Sequence, residues 1–138
     1  MRRLMLLAIA VAVLLPTQAL AQDDELARGM FFSHWQCPPA LVGDIAAAYD
    51  SLIRPIEQEL VNEGLMYGAG MFFHQWGDEY NVNWYRLGQD RDQVFDAIDE
   101  IGRRMEQRHP DAPNQFEECT AHKDNIYWWG PRTSPPPQ

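Results

Sequence analysis

The stretch MYGAGMFFHQWGDEYNVNWYRLG, residues 66–88, predicts a β-hairpin near the middle of the chain. Both halves are rich in aromatic residues, and the dipeptide Gly77-Asp78 between them can form a two-residue turn. With this turn, His74 pairs with Asn81. The elements on either side of this hairpin then decide the fold class.

The sequence before the hairpin predicts a helix with an interruption. Between positions 40 and 63 the apolar residues keep a helical spacing, and Gly64 is expected to end the helix. Pro55 lies inside this stretch and lacks the amide hydrogen that a helix needs, so we expect a kink or a fresh start there. The spaced apolar residues are Leu41, Ile45, Tyr49, Leu52, Ile56 and Leu60.

The sequence after the hairpin, DRDQVFDAIDEIGRRMEQRH at residues 90–109, predicts a second helix. Asp90 can cap its start with Gln93 three residues later, and Pro110 follows its end. Apolar residues recur along one face of this helix. They are Val94, Ile98, Ile101 and Met105.

Two further strands are predicted, one before the first helix and one after the second helix. MFFSHWQC, residues 30–37, is stopped by Pro38-Pro39, and ECTAHKDNIYWW, residues 118–129, precedes a proline-rich tail. The order is strand, helix, strand, strand, helix, strand. It predicts an α+β, ferredoxin-like βαββαβ domain over residues 30–129, with a four-stranded antiparallel sheet in the order 4-1-3-2 and two helices on one face.

By this order and length of elements, residues 30–129 resemble the dimeric α+β-barrel superfamily. That superfamily includes antibiotic-biosynthesis-monooxygenase-like, NIPSNAP-like and chlorite-dismutase-like proteins. The resemblance implies a homodimer and a cavity on the sheet face that the helices leave open. It implies no particular chemistry, because the superfamily hosts several.

The first residues predict export from the cytoplasm. Arg2 and Arg3 precede the short apolar run LMLLAIAVAVLL, and ALA at positions 19–21 is typical of a signal-peptidase site. We therefore expect a signal peptide at 1–21, an acidic segment at 22–29, and a periplasmic or extracellular location. The tail at 130–138 is expected to be disordered.

Charge and motifs exclude several classes of function. The chain carries 11 basic and 20 acidic residues, so we expect neither nucleic acid nor an anionic membrane surface as a partner. No glycine-rich phosphate loop or dinucleotide fingerprint occurs, so no nucleotide cofactor is expected.

Two cysteines link the first and the last strand in this prediction. In an exported chain Cys37 and Cys119 are expected to form a disulfide, and they fall where strands 1 and 4 meet. If they lie directly opposite each other, His34 and His122 also lie opposite each other, on the other face of the sheet.

The same alternation predicts a polar surface on the open face. It brings three of the four histidines together with aromatic and amide side chains, while Lys123 and Tyr80 point towards the helices. Predicted catalytic residues are His34, His122 and Asp124; predicted ligand-binding residues are Phe32, Phe72, His74, Asn81, Asn83 and Tyr85.

Three interpretations of this surface remain open. The first is a pocket for a flat organic molecule, in which histidines and Asp124 orient the ligand or move protons. The second is a mononuclear zinc, copper or iron centre with His34, His74 and His122 as ligands. The third is a polar dimer interface or interaction module without catalysis.

Overall fold

The computed structural model describes residues 29–74 and 79–128 and shows the predicted ferredoxin-like fold. Four antiparallel strands form one sheet in the order β2-β3-β1-β4, which is the predicted order read from the other edge. The strands are β1 (Gly29–Gln36), β2 (Gly68–Phe73), β3 (Val82–Gly88) and β4 (Ala121–Tyr127).

The first helical stretch is interrupted at the proline, as predicted. A 3-10 turn (Pro39–Leu41) leads into α1 (Val42–Ala48), a π-helical turn (Tyr49–Ile53) and then α2 (Arg54–Asn62). Pro55 cannot donate to the carbonyl four residues earlier, so the regular bonding pattern changes in the turn before it. Gly64 ends the stretch at a φ of 75°, a conformation that glycine adopts without strain.

The second helix, α3 (Arg91–Arg108), begins and ends as its caps predict. The Asp90 side chain accepts a hydrogen bond from the Gln93 backbone amide at 2.9 Å, and Pro110 follows the helix. Its buried face contains Val94, Ala97 and Ile101, which is the predicted apolar side.

The core lies between these helices and one face of the sheet, which we call the helix-covered face. Phe31 of β1 contacts Phe95 of α3, and Trp84 of β3 contacts Tyr49 of the π-helical turn. The opposite side of the sheet, which we call the open face, carries Phe32 and His34 because side chains alternate along a strand. The main core cluster consists of Tyr49, Ile53, Ile56, Leu60, Met66, Trp84, Ala97 and Ile101.

The predicted disulfide is present, and the register built on it is wrong. Cys37 and Cys119 are bonded with Cα atoms 4.1 Å apart. The ladder nevertheless pairs His34 with Lys123 and Trp35 with His122, one residue away from the expected register. Both cysteines lie beyond the paired residues of β1 and β4, so the bond between them does not require that they be direct partners.

The hairpin register is confirmed, and several other expectations lie outside the described residues. Phe73 pairs with Val82, and the His74 amide donates to the Asn81 carbonyl. The turn residues Gly77-Asp78, the signal peptide, most of the acidic segment and the tail fall outside the described ranges. Within those ranges no helix has the length and apolar character needed to cross a membrane.

Candidate functional site

A row of side chains crosses the whole open face at one level. The pairings join Phe72 of β2 to Asn83 of β3, Asn83 to His34 of β1, and His34 to Lys123 of β4. Direct partners in antiparallel strands have β-carbons about 4.5–5.5 Å apart. The row therefore places an aromatic ring, an amide, an imidazole and an ammonium group in sequence across the sheet.

The next level of the open face is aromatic. Phe32 lies at its centre, with ring centroids 6.2 Å from both Phe72 and Tyr85 and 5.5 Å from Tyr127. A shallow cavity of about 330 Å³ is lined by Phe32, His34, Phe72 and Tyr127. The open face thus offers an apolar floor that borders on polar groups at one end, which suits a small organic ligand.

A close approach of backbone and ring shapes this floor. The Tyr85 ring lies over Gly70 of β2, where a β-carbon would come within 2.7 Å of ring atoms. Only glycine leaves room for the ring there, since β-carbons do not approach other atoms so closely. Gly70 thereby lets Tyr85 lie along the sheet beside Phe72.

A short hydrogen bond determines how His34 presents its ring. Its Nδ1 lies 2.6 Å from Asn83 Oδ1, and the Asn83 amide nitrogen lies 3.4 Å from the Tyr80 carbonyl. Because the amide NH₂ faces a carbonyl, Asn83 Oδ1 accepts from a protonated Nδ1. Nε2 has no hydrogen-bond partner among the residues that the structure describes. It is the nitrogen of His34 that can bind a ligand.

Lys123 and Tyr80 lie beside His34, contrary to the prediction that both point towards the helices. The Lys123 ammonium lies 4.0 Å from the centre of the Tyr80 ring, and that ring lies 6.4 Å from His34. Lys123 was misplaced because the assumed register of β4 was one residue off. Tyr80 precedes β3, so the alternation within the strand does not apply to it.

His122 and Asp124 do not share the open face with His34, so the predicted convergence of the three is wrong. The His122 ring stacks on Trp35 with centroids 3.7 Å apart, and its Nε2 lies 3.0 Å from Ser33 Oγ and 2.8 Å from Asp124 Oδ1. A catalytic triad needs the hydroxyl and the carboxylate on different ring nitrogens. Here both contact the same one.

Of the six predicted ligand-binding residues, Phe32 and Phe72 line the cavity and the other four do not. Asn81 uses its amide to bond both the backbone nitrogen and the carbonyl of Cys37, each at 2.8 Å, which secures the end of β1. His74 follows β2, and its buried Nδ1 has no partner within the described ranges. Neither side chain lines the space between Phe32 and Phe72.

The structure does not assemble the predicted metal ligands. His34 and His122 lie on opposite faces of the sheet because their strands pair one residue out of the expected register. Across residues 29–74 and 79–128, no three His, Cys, Asp or Glu side chains are grouped so that they could hold a metal ion.

A second polar group, which the sequence analysis missed, is buried on the helix-covered face. Glu57 of α2 accepts hydrogen bonds from Tyr49 at 2.7 Å and from Trp84 and Arg86 at 3.1 Å each. The Arg86 guanidinium also lies 3.9 Å from the centre of the Trp84 ring. A charged residue at the same helical spacing as Ile53 and Leu60 was the available signal in the sequence.

Burial controls the protonation of this group. It raises the pKa of Glu57 and lowers that of Arg86, because apolar surroundings disfavour both charges, while their mutual attraction opposes each shift. Burial also raises the pKa of Tyr49, so its hydroxyl stays neutral and donates to Glu57. The three donors satisfy a carboxylate that would otherwise be costly to bury.

Comparisons with known proteins add little to this geometry. No protein-family model matches the chain, and no curated protein matches it. Among solved structures, the crystal structure of a conserved protein from Methanosarcina mazei Go1 is similar, with 14% identity and a TM-score of 0.48. That match covers 75% of this chain and 95% of the other, and a likeness of this size carries no argument about function.

Proposed function

We propose that this protein binds a small, flat organic molecule on the open face. The observation that carries the proposal is the cavity of about 330 Å³ between the rings of Phe32, Phe72 and Tyr127, with His34 at its polar end. Stacked or edge-on aromatic contacts stabilise planar ligands by about 0.5–1.5 kcal/mol for each pair. His34, with Nδ1 held by Asn83, supplies one directional contact.

A neutral planar probe tests this proposal. We expect 2-naphthamide to bind with a Kd of about 1 mM or tighter, since ligands of this kind gain about 0.3 kcal/mol for each non-hydrogen atom. Titration calorimetry on wild type and Phe72→Leu measures the affinity. The variant should bind about fivefold more weakly, because it loses an aromatic contact.

A matched control separates the site from general hydrophobicity. Phe72 is 42% exposed on the open face and Phe95 is 40% exposed on α3, so both substitutions remove a ring of similar exposure. Phe95→Leu should bind the probe like wild type. Equal weakening in both variants, or no binding by wild type, contradicts the proposal.

We also propose that a second copy of the chain covers the open face around the cavity. The support is the exposed aromatic surface at its margin, where Phe72 is 42%, Tyr127 45% and Trp128 78% exposed. Light scattering should then give twice the mass of one chain. Trp128→Ser should shift the pair towards monomers, whereas a wild-type monomer at micromolar concentration contradicts the arrangement.

We propose, finally, that the protein acts outside the cytoplasm. The disulfide between Cys37 and Cys119 supports this, since such bonds persist in oxidising compartments. The signal-peptide pattern at 1–21 supports it independently. N-terminal sequencing of protein from the periplasm or medium should begin at Gln22, and retention in the cytoplasm contradicts the proposal.

A further inference from the structure

We infer that the ligand of the open face carries an anionic group, which Lys123 recognises beside His34, so that the ligand class is a planar aromatic acid. This inference rests on the proposed function, because the aromatic floor must bind the ring that bears the acid. It adds which chemical group lies at the polar end of the cavity.

The first argument is the charge balance of the described residues. All six arginines in the described ranges lie within ion-pair distance of a carboxylate, from the exposed pair of Arg54 and Asp50 at 2.6 Å to the buried pair of Arg86 and Glu57 at 3.1 Å. The other four are Arg91, Arg103, Arg104 and Arg108. In a chain with 20 acidic and 11 basic residues, such pairing is expected.

Lys123 departs from this pattern. It is the single lysine of the chain, and no carboxylate of the described residues lies within ion-pair distance of it. Its ammonium instead rests 4.0 Å from the centre of the Tyr80 ring. A cation on an aromatic face keeps its charge, and the donor hydrogens that do not face the ring are available for an anion.

The second argument is position. Lys123 is the direct strand partner of His34, so both side chains project from neighbouring β-carbons on the open face. His34 lines the cavity, and when its ring is protonated Nε2 donates to a carboxylate. Lys123 adds the positive charge that holds the ionised acid.

The third argument is that Asp124, the acidic neighbour of Lys123 in β4, faces away from this point. Asp124 follows Lys123 in β4 but faces the helix-covered side, where it contacts His122 at 2.8 Å. The strand partner of Phe32 on this side is Asn125, an uncharged amide. Around His34, at the polar end of the cavity, the described strands therefore place one cation, Lys123, and one neutral amide, Asn83.

A pair of probes with the same ring tests the inference. We expect 2-naphthoate to bind wild type about tenfold more tightly than 2-naphthamide, as a charge-assisted hydrogen bond commonly contributes. Lys123→Gln should reduce this ratio to about one, and Lys123→Arg should keep most of it. Titration calorimetry at constant ionic strength gives both affinities for each variant.

Arg54→Gln is the control, because it removes one positive charge from the helical side of the molecule. The ratio of 2-naphthoate affinity to 2-naphthamide affinity in this variant should equal that of wild type. If the ratio falls as far as it does in Lys123→Gln, only the net charge of the protein matters and the inference is overturned. Equal binding of both probes by wild type also overturns it. In that case, binding of both probes that is weaker in Phe72→Leu than in wild type leaves the proposed function standing. If neither probe binds, the proposed function fails and the inference fails with it.

Discussion

On the helix-covered face of the sheet, Glu57 accepts hydrogen bonds from Tyr49, Trp84 and Arg86, and both members of its ion pair are buried. On the open face, Lys123 lies over the Tyr80 ring, and no carboxylate of the described residues is within ion-pair distance of it. The same sheet thus carries one cation that is fully paired and one that is not.

The two cations differ in how far they are removed from water. A charge enclosed by protein must find its partners within the chain, because desolvation without partners costs several kcal/mol. A charge at the margin of a cavity can leave one position open for a ligand. Removing Glu57 should therefore destabilise the whole domain. Removing Lys123 should leave the domain folded but unable to discriminate between the two probes.

The largest effect is expected at Glu57. Glu57→Leu leaves Arg86 buried without its partner, and we expect the free energy of unfolding to fall by about 3–5 kcal/mol. Urea unfolding followed by circular dichroism measures it. The double variant Glu57→Leu/Arg86→Met should recover most of the loss, because no charge then remains buried.

Lys123→Gln is the counterpart on the open face. Its side chain lies at an exposed position, so we expect a change in unfolding free energy of about 0.5 kcal/mol or less. If Lys123→Gln destabilises the fold as much as Glu57→Leu does, the contrast between the two faces is wrong.

Removing the disulfide is expected to cause the next largest loss of stability after Glu57→Leu. Cys37 and Cys119 are 82 positions apart, and the Cys37→Ala/Cys119→Ala variant should be less stable by about 2–4 kcal/mol, because the unfolded chain gains freedom. Both cysteines lie beyond the paired ends of β1 and β4, so ligand binding by the folded fraction should persist. Free-thiol titration of the unfolded, unreduced wild type should find none, and two free thiols would contradict the bond.

Two glycines allow a smaller comparison. Gly70→Ala drives a β-carbon into the Tyr85 ring, so we expect a loss of about 1–3 kcal/mol and weaker binding of 2-naphthamide. Gly102→Ala lies in α3, where the new β-carbon meets nothing within 4 Å, and should stabilise the protein by about 1 kcal/mol. Thermal unfolding should move the two midpoints in opposite directions; a shared direction would show that the Tyr85 ring moves aside at little cost.

The smallest expected effect is on the loss of stability at acidic pH. Hydrogen bonds from Arg103 and Arg104 lower the pKa of Glu100 to about 2. A carboxyl group with a depressed pKa contributes stability above its unfolded pKa of about 4.5 and loses that contribution as the pH falls towards 2. We therefore expect Glu100→Gln to lose less stability than wild type between about pH 6 and pH 3.

The control for acid is another exposed carboxylate of the same helix. Asp99 forms no ion pair among the described residues, and Asp99→Asn should follow the wild-type pH dependence. Glu57, whose pKa is raised, contributes to the pH dependence of stability in the opposite sense. Both variants retain Glu57, so its contribution does not affect the comparison. Parallel pH profiles for wild type and Glu100→Gln would contradict the assignment.

Local patterns in the sequence were enough to predict the elements, their order and the disulfide. Helical spacing with Pro55 and Gly64 predicted the bent first helix, and Asp90 with Pro110 predicted the limits of α3. These signals are read from neighbours in the chain, and the sheet order follows because few topologies connect such elements. The hairpin register was predicted correctly for the same reason, since the two-residue turn expected from the sequence sets it.

The pairing of β1 with β4 was decided only by the tertiary structure. These strands are far apart in the chain and no short turn joins them, so their register depends on how the whole sheet packs. A shift of one residue exchanges the two faces of a strand. It moved His122 and Asp124 to the helix-covered side and brought Lys123 beside His34, which changed the candidate site from three histidines to one imidazole, one ammonium and an aromatic floor.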